Sequence, residues 1–68
     1  MARYYVNNNQ QTNGDHEVHQ SGCSHMPLEH NRTYLGDFDS CSPAIAAARK
    51  IHSRANGCYY CANGCHTS

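Results

Sequence analysis

Three of the chain's five cysteines fall within its last eleven residues, Cys58-Tyr59-Tyr60-Cys61-Ala62-Asn63-Gly64-Cys65-His66-Thr67-Ser68, a span too short to build a core of its own. Such a segment holds a fixed shape only if something outside it supplies ligands or bonds. The partner that spacing offers is His19-Gln20-Ser21-Gly22-Cys23, a His-x3-Cys half-site. Together with Cys58-x2-Cys61 it makes a four-ligand set of the kind that tetrahedral Zn²⁺ takes.

The rest of the chain shows why a staple is needed. A chain of 68 residues buries only about 60% of the surface that its unfolded form exposes. Its large aliphatics and phenylalanine are Val6, Val18, Leu28, Leu35, Phe38, Ile45 and Ile51, so the core is thin even with five tyrosines. Thin cores of this size are completed by disulfides or by a metal. The N-terminal stretch Met1-Ala2-Arg3-Tyr4-Tyr5-Val6-Asn7 has no apolar leader pattern, and no segment approaches the ~20 apolar residues of a membrane span. A cytoplasmic protein is expected from these features, with export without a classical signal as the alternative. In a reducing compartment five cysteines among six histidines read as metal ligands and buried thiols, and an odd count would leave one thiol unpaired. A formal net charge of zero gives no global electrostatic case for nucleic acid.

Taken in order, Arg3-Tyr4-Tyr5-Val6 is a run of β-formers, and Asn13-Gly14 suits the two positive φ angles of a type I′ turn. A hairpin is expected, with Asn7 to Thr12 as a solvated continuation of its arms. In the return strand, Asp15-His16-Glu17-Val18-His19, a period of two sets His16 and Val18 on one face and Glu17 and His19 on the other. His16 and His19 therefore do not share an ion. The same spacing excludes a His-Glu-x-x-His metalloprotease, which needs two histidines at i and i+4 on a helix. The segment from Ser24 to Asn31 reads as a loop, with Met26 and Leu28 as core plugs and His25 and His30 in solvent. A third strand starts at Arg32 and ends near Gly36.

Ser40 or Ser42 can cap a helix in which Pro43 occupies the first turn, and Ala44, Ala46, Ala47, Ala48, Arg49 and Lys50 are strong formers. Asn56-Gly57 is expected to end it, with the glycine in the left-handed conformation. Cys41, Ala44, Ile45, Ala48, Ile51 and Ala55 then make one buried stripe, with Cys41 as a small core residue. A helix reaching to residue 55 rises about 1.5 Å per residue, roughly 20 Å in all, which sets Cys41 at the far end from Cys58. It is thereby kept from an ion held there, and from a disulfide with Cys58.

The thiol ligands are then Cys23, Cys58 and Cys61. The fourth position is contested among His19, Cys65 and His66, and His19 is favoured because a strand end and the turn after it can wrap one ion. The rival for Cys58-x2-Cys61 is thiol redox or metal-sensing chemistry. Thioredoxin-type motifs begin a helix, whose dipole lowers the thiol pKa; this one follows a helix C-terminus, where the field raises it. Tyr59 and Tyr60 cover the knuckle or offer an aromatic platform to a partner, and Arg49, Lys50 and Arg54 form a solvated helix face.

His19-x3-Cys23, a strand at Tyr34-Leu35-Gly36, a helix from Ala44 to Ile51 and Gly57-Cys58-x2-Cys61 resemble the Ada-type metal-binding module over about residues 16–65. That small zinc domain is known from the methyl-phosphotriester repair protein and from stand-alone bacterial relatives. Its repair member opens the first half-site with a nucleophilic cysteine, where His19 stands here. The resemblance therefore implies architecture and metal, without methyl transfer.

The expectation is a single α+β domain over 1–68: a three-stranded antiparallel sheet (strands about 3–8, 15–19 and 32–36), one helix (about 41–55) and a zinc knuckle (57–66). Zn²⁺ is held by His19, Cys23, Cys58 and Cys61. The domain is a monomeric structural module for protein or nucleic-acid interaction, without catalysis and without a membrane segment.

Overall fold

A computed structural model describes residues 1–67 of the chain. The fold is α+β as expected, but the sheet has four strands and is mixed. β1 (Ala2–Asn7), β2 (His16–Gln20), β3 (Arg32–Phe38) and β4 (Ala55–Gly57) lie in the order β3-β1-β2-β4. β1 pairs antiparallel with both β2 and β3, whereas β4 runs parallel to β2 with His16 opposite Ala55 and Val18 opposite Gly57. The parallel ladder extends past both ends of β4, through His16 N–H to the Arg54 carbonyl (2.7 Å) and Cys58 N–H to the Val18 carbonyl (2.9 Å).

The helix α1 (Cys41–Arg49) is shorter than the alanine-rich sequence suggests. Nine residues are too few to be stable alone, so packing decides where the helix ends. Ala44, Ile45 and Ala48 are fully used against Tyr4, Val6, Val18 and Ala55, and the helix stops one residue later. Ile51 is 52% exposed, and Ala55, placed in the same helical stripe by its spacing, is instead buried as the first residue of β4. Asn56-Gly57 accordingly is no helix cap, and Gly57 is absent from the glycines with positive φ. Ser40 does occupy the N-cap position, without a side-chain cap hydrogen bond.

Two further expectations are corrected. The β1–β2 connection is no tight type I′ hairpin: the turn closes from Gly14 N–H to the Gln11 carbonyl (2.9 Å), and Gly14 follows it at φ 90°. Leu28, expected as a core plug, is 67% exposed, because the loop leaving Cys23 ends in a 3-10 turn (Glu29–Asn31) with no buried residue. In β3 the pairing slips by one residue between Tyr4 and Tyr5, leaving Leu35 as the extra residue of a β-bulge beside Gly36. Gly36 sits at φ 136°, a conformation that glycine adopts cheaply, and a Cβ there would meet the Phe38 ring at 3.2 Å. The bulge lets Leu35 and Phe38 both pack on the core, and Phe38 lies 6.2 Å from Tyr4 between ring centroids.

Candidate metal centre

β2 ends with His19 and Gln20, and the chain turns tightly after them, with Cys23 N–H donating to the Gln20 carbonyl (3.1 Å). Gly22 at φ 92° permits that turn and returns Cys23 toward the strand. From the other side, β4 delivers Cys58 directly beside β2, and a helical turn (Ala62 N–H to the Cys58 carbonyl, 2.9 Å) brings Cys61 back over it. Two segments far apart in sequence thus converge because β4 runs parallel to β2.

The result is a group of four, His19, Cys23, Cys58 and Cys61, whose ligand atoms all lie within 4.8 Å of one another and which could hold a metal ion. Cys23 Sγ is 3.9 Å from Cys58 Sγ, and Cys61 Sγ is 3.9 Å from His19 Nδ1. Four donors at about 2.0–2.3 Å around a tetrahedral ion stand roughly 3.6–3.8 Å apart, so the two closest contacts are near that spacing already. His19 and Cys58 are buried, whereas Cys23 and Cys61 are half-buried. Two backbone amides aim at the sulfurs: Gln20 N–H at Cys61 Sγ (3.2 Å) and His25 N–H at Cys23 Sγ (3.4 Å). The amide on Cys61 comes from β2 and not from inside the Cys-x2-Cys loop, so strand and knuckle are joined before any ion is considered.

Electrostatics match a donor set. Burial, and secondly the nearby His25, push the His19 pKa down, which keeps the imidazole neutral and able to donate a lone pair. Burial pushes the Cys61 thiol up to about 12, with the Cys23 and Cys58 thiols adding to the rise and the Gln20 amide opposing it. Crowded thiols cannot readily ionise together unless a cation neutralises them, and a divalent ion supplies that charge.

The contested residues separate cleanly. Cys65 is bonded to Cys41 in a disulfide, Cα atoms 6.2 Å apart, and is unavailable as a ligand. Cys41 is therefore not the free core thiol expected from its place in the helical stripe. Its expected separation from Cys58 and from the ion site holds, but α1 ends at Arg49 and the chain folds back along β2, which carries Cys65 to the start of the helix. His66 Nδ1–H donates to the Gly57 carbonyl (3.0 Å), and the residue lies outside the group of four. His16 faces away from His19, as the strand period requires, and stacks on His52 with centroids 3.8 Å apart. His25 stacks on Tyr60 (4.0 Å), roofing the loop onto the knuckle, while Tyr59 and Tyr60 remain largely exposed. Glu17, which spacing sets on the His19 face but which was given no role from sequence, brings its carboxylate to 3.5 Å from His19 Nε2.

Comparison with protein-family models, with curated proteins and with solved structures finds no match to this chain. Among the described residues no helix is long and apolar enough to cross a membrane.

Proposed function

We propose that the protein is a structural zinc module in which His19, Cys23, Cys58 and Cys61 bind one Zn²⁺ and so join the end of β2 to the C-terminal segment. The observation that carries this reading is the convergence of four soft and borderline donors within 4.8 Å from two segments of the chain. Three sulfurs and one imidazole suit zinc over magnesium or calcium, which prefer oxygen. A full protein donor set leaves no open position for substrate, which favours a structural role over catalysis. The bound ion would supply positive charge to the crowded thiolates.

The Ada-type resemblance is part of the proposal. Its support is the order of half-site, strand, helix and terminal Cys-x2-Cys, together with the convergence of those two half-sites. Exposed Tyr59 and Tyr60 beside the centre are the surface we assign to a protein or nucleic-acid partner, with the domain acting as a monomer. A cytoplasmic setting requires the Cys41–Cys65 bond to withstand the cellular thiol pool, whereas an oxidising compartment would maintain it.

The alternative is a thiol redox or metal-sensing protein using Cys58 and Cys61. Cys58 is fully buried, and the motif follows a strand and not the start of a helix, which disfavours a reactive pair. Native mass spectrometry decides between them: one zinc per chain is expected, with Cys23, Cys58 and Cys61 resisting alkylation until a chelator is added. A chain that carries no metal yet cycles a Cys58–Cys61 disulfide would overturn the zinc reading.

A further inference from the structure

His19 Nε2 is the one buried side-chain nitrogen or oxygen among the described residues without a hydrogen-bond partner. His19 itself is 1% exposed, so water does not satisfy that atom. The two ring nitrogens look in different directions. Nδ1 faces Cys61 Sγ at 3.9 Å, inside the donor group, whereas Nε2 faces the Glu17 carboxylate at 3.5 Å. Glu17 and His19 are alternate residues of β2 and so project from the same face of the sheet. The backbone of Glu17 is fixed opposite Asn56 in the parallel register. Its carboxylate, with a side chain 22% exposed, has no other hydrogen-bond or ion-pair partner among the described residues.

A buried imidazole that ligates through one nitrogen carries its proton on the other, and that N–H needs an acceptor. A closing movement of roughly half an ångström would bring Glu17 within hydrogen-bond range of Nε2. Resting on the metal-centre reading above, we infer that His19 ligates through Nδ1 and that Glu17 is its positioning residue, accepting a hydrogen bond from Nε2–H and holding the ring in that tautomer. Glu17 also places a negative charge behind the imidazole, which raises its basicity as a donor.

The test loads the protein with Zn²⁺ for affinity and with ¹¹³Cd²⁺ for spectroscopy. Long-range ¹⁵N spectra should show cadmium coupling at His19 Nδ1 and a slowly exchanging proton on Nε2. Competition against a chelator should show zinc binding weakened about 10- to 100-fold in Glu17→Ala. Glu17→Gln, which keeps an oxygen acceptor, should lose less and retain the protected Nε2 proton. Coupling at Nε2, or a folded Glu17→Ala within twofold of wild-type affinity, overturns the inference while leaving the zinc centre standing. If Glu17→Ala does not fold, Glu17→Gln carries the test: unchanged affinity together with an unshifted Nε2–H resonance rejects the role of Glu17. A wild-type chain that binds neither ion removes the metal centre itself, and this inference with it.

Discussion

Cys41, the first residue of α1, is bonded to Cys65, which closes the last 3-10 turn of the described chain, across a sequence separation of 24. Both residues pack against the edge of the hydrophobic core. The bond ties the helix to the segment that carries Cys58 and Cys61. The C-terminal segment is thus held at two places by two kinds of chemistry.

Breaking the disulfide should therefore loosen the fold without emptying the centre. Closing a loop of this length restricts the unfolded chain by about 3–4 kcal/mol, an upper value because native strain and residual structure reduce it. Cys41→Ser and Cys65→Ser should each lower the melting temperature by similar amounts and keep one zinc per chain. Loss of zinc in Cys65→Ser alone would make Cys65 a ligand and exclude the bond.

Gly57 is the glycine on which the geometry of the knuckle depends. A Cβ there would lie 2.7 Å from the Ala62 carbonyl oxygen and 2.9 Å from both the carbonyl carbon and Cβ of Cys65, and the first two of these are backbone atoms that cannot swing aside. Gly57→Ala should cost about 1–3 kcal/mol by overpacking and weaken zinc binding by displacing Cys58 and Cys61 together. At Gly64 a Cβ meets nothing within 4 Å, so Gly64→Ala should change stability by no more than about 0.5 kcal/mol. Equal melting temperatures for the two variants would contradict this packing.

Asn56 does inside the sheet what its neighbours cannot. Its Oδ1 accepts from Gly57 N–H (2.9 Å) and Thr67 N–H (3.0 Å), and its Nδ2 donates to the Thr67 carbonyl (3.1 Å), so one buried amide fastens the chain beyond the knuckle to β4. Asn56→Leu removes these three hydrogen bonds and should cost about 1–3 kcal/mol. Hydrogen exchange should rise at Thr67 and Gly57. Unchanged protection at both amides would show that water replaces the side chain without loss.

Acid should destabilise the fold through its histidines. Burial, and then His25, lower the pKa of His19; slight burial, and then His16, lower that of His52. A histidine with a lowered pKa binds its proton more weakly folded than unfolded, so the stability it contributes is complete above about pH 6.5 and is lost as pH falls through the lower folded value. Protons also compete with the metal for His19 and the thiolates, in the same direction. His52→Gln keeps a polar contact to Asn8 without titrating, so at saturating zinc its melting temperature should fall less steeply than the wild type's between about pH 7.5 and 5.5. Parallel slopes would assign the whole acid response to the ligands.

What the sequence discloses here is mostly local. The Cys-x2-Cys spacing, the His-x3-Cys half-site and the alternation in β2 name the four residues that the structure brings together, because each of those patterns depends on neighbours a few residues away. The helix start is legible for the same reason, since Ser40 and Pro43 act within one turn. Its end is not. Alanine, arginine and lysine continue to favour helix past Arg49, and only the place beside β2 explains why Ala55, Asn56 and Gly57 are a strand. Three residues are too few to show a strand pattern, and a parallel partner leaves no hairpin turn to find. The Cys41–Cys65 bond is hidden for the same reason: in a helix reaching residue 55 Cys41 reads as one more small core residue, and only the return of the chain through β4 brings Cys65 to it.

The bulge at Leu35 has a bearing on the company the sheet can keep. β3 and β4 are its two open edges, and an open edge offers unpaired amides and carbonyls on which another chain can add a strand. β4 offers only three residues. β3 is longer, but its extra residue, its glycine at φ 136° and the charged Arg32 and Asp37 interrupt the flat repeat that a docking strand would need. The same irregularity that lets Leu35 reach the core makes the longer edge a poor template for aggregation.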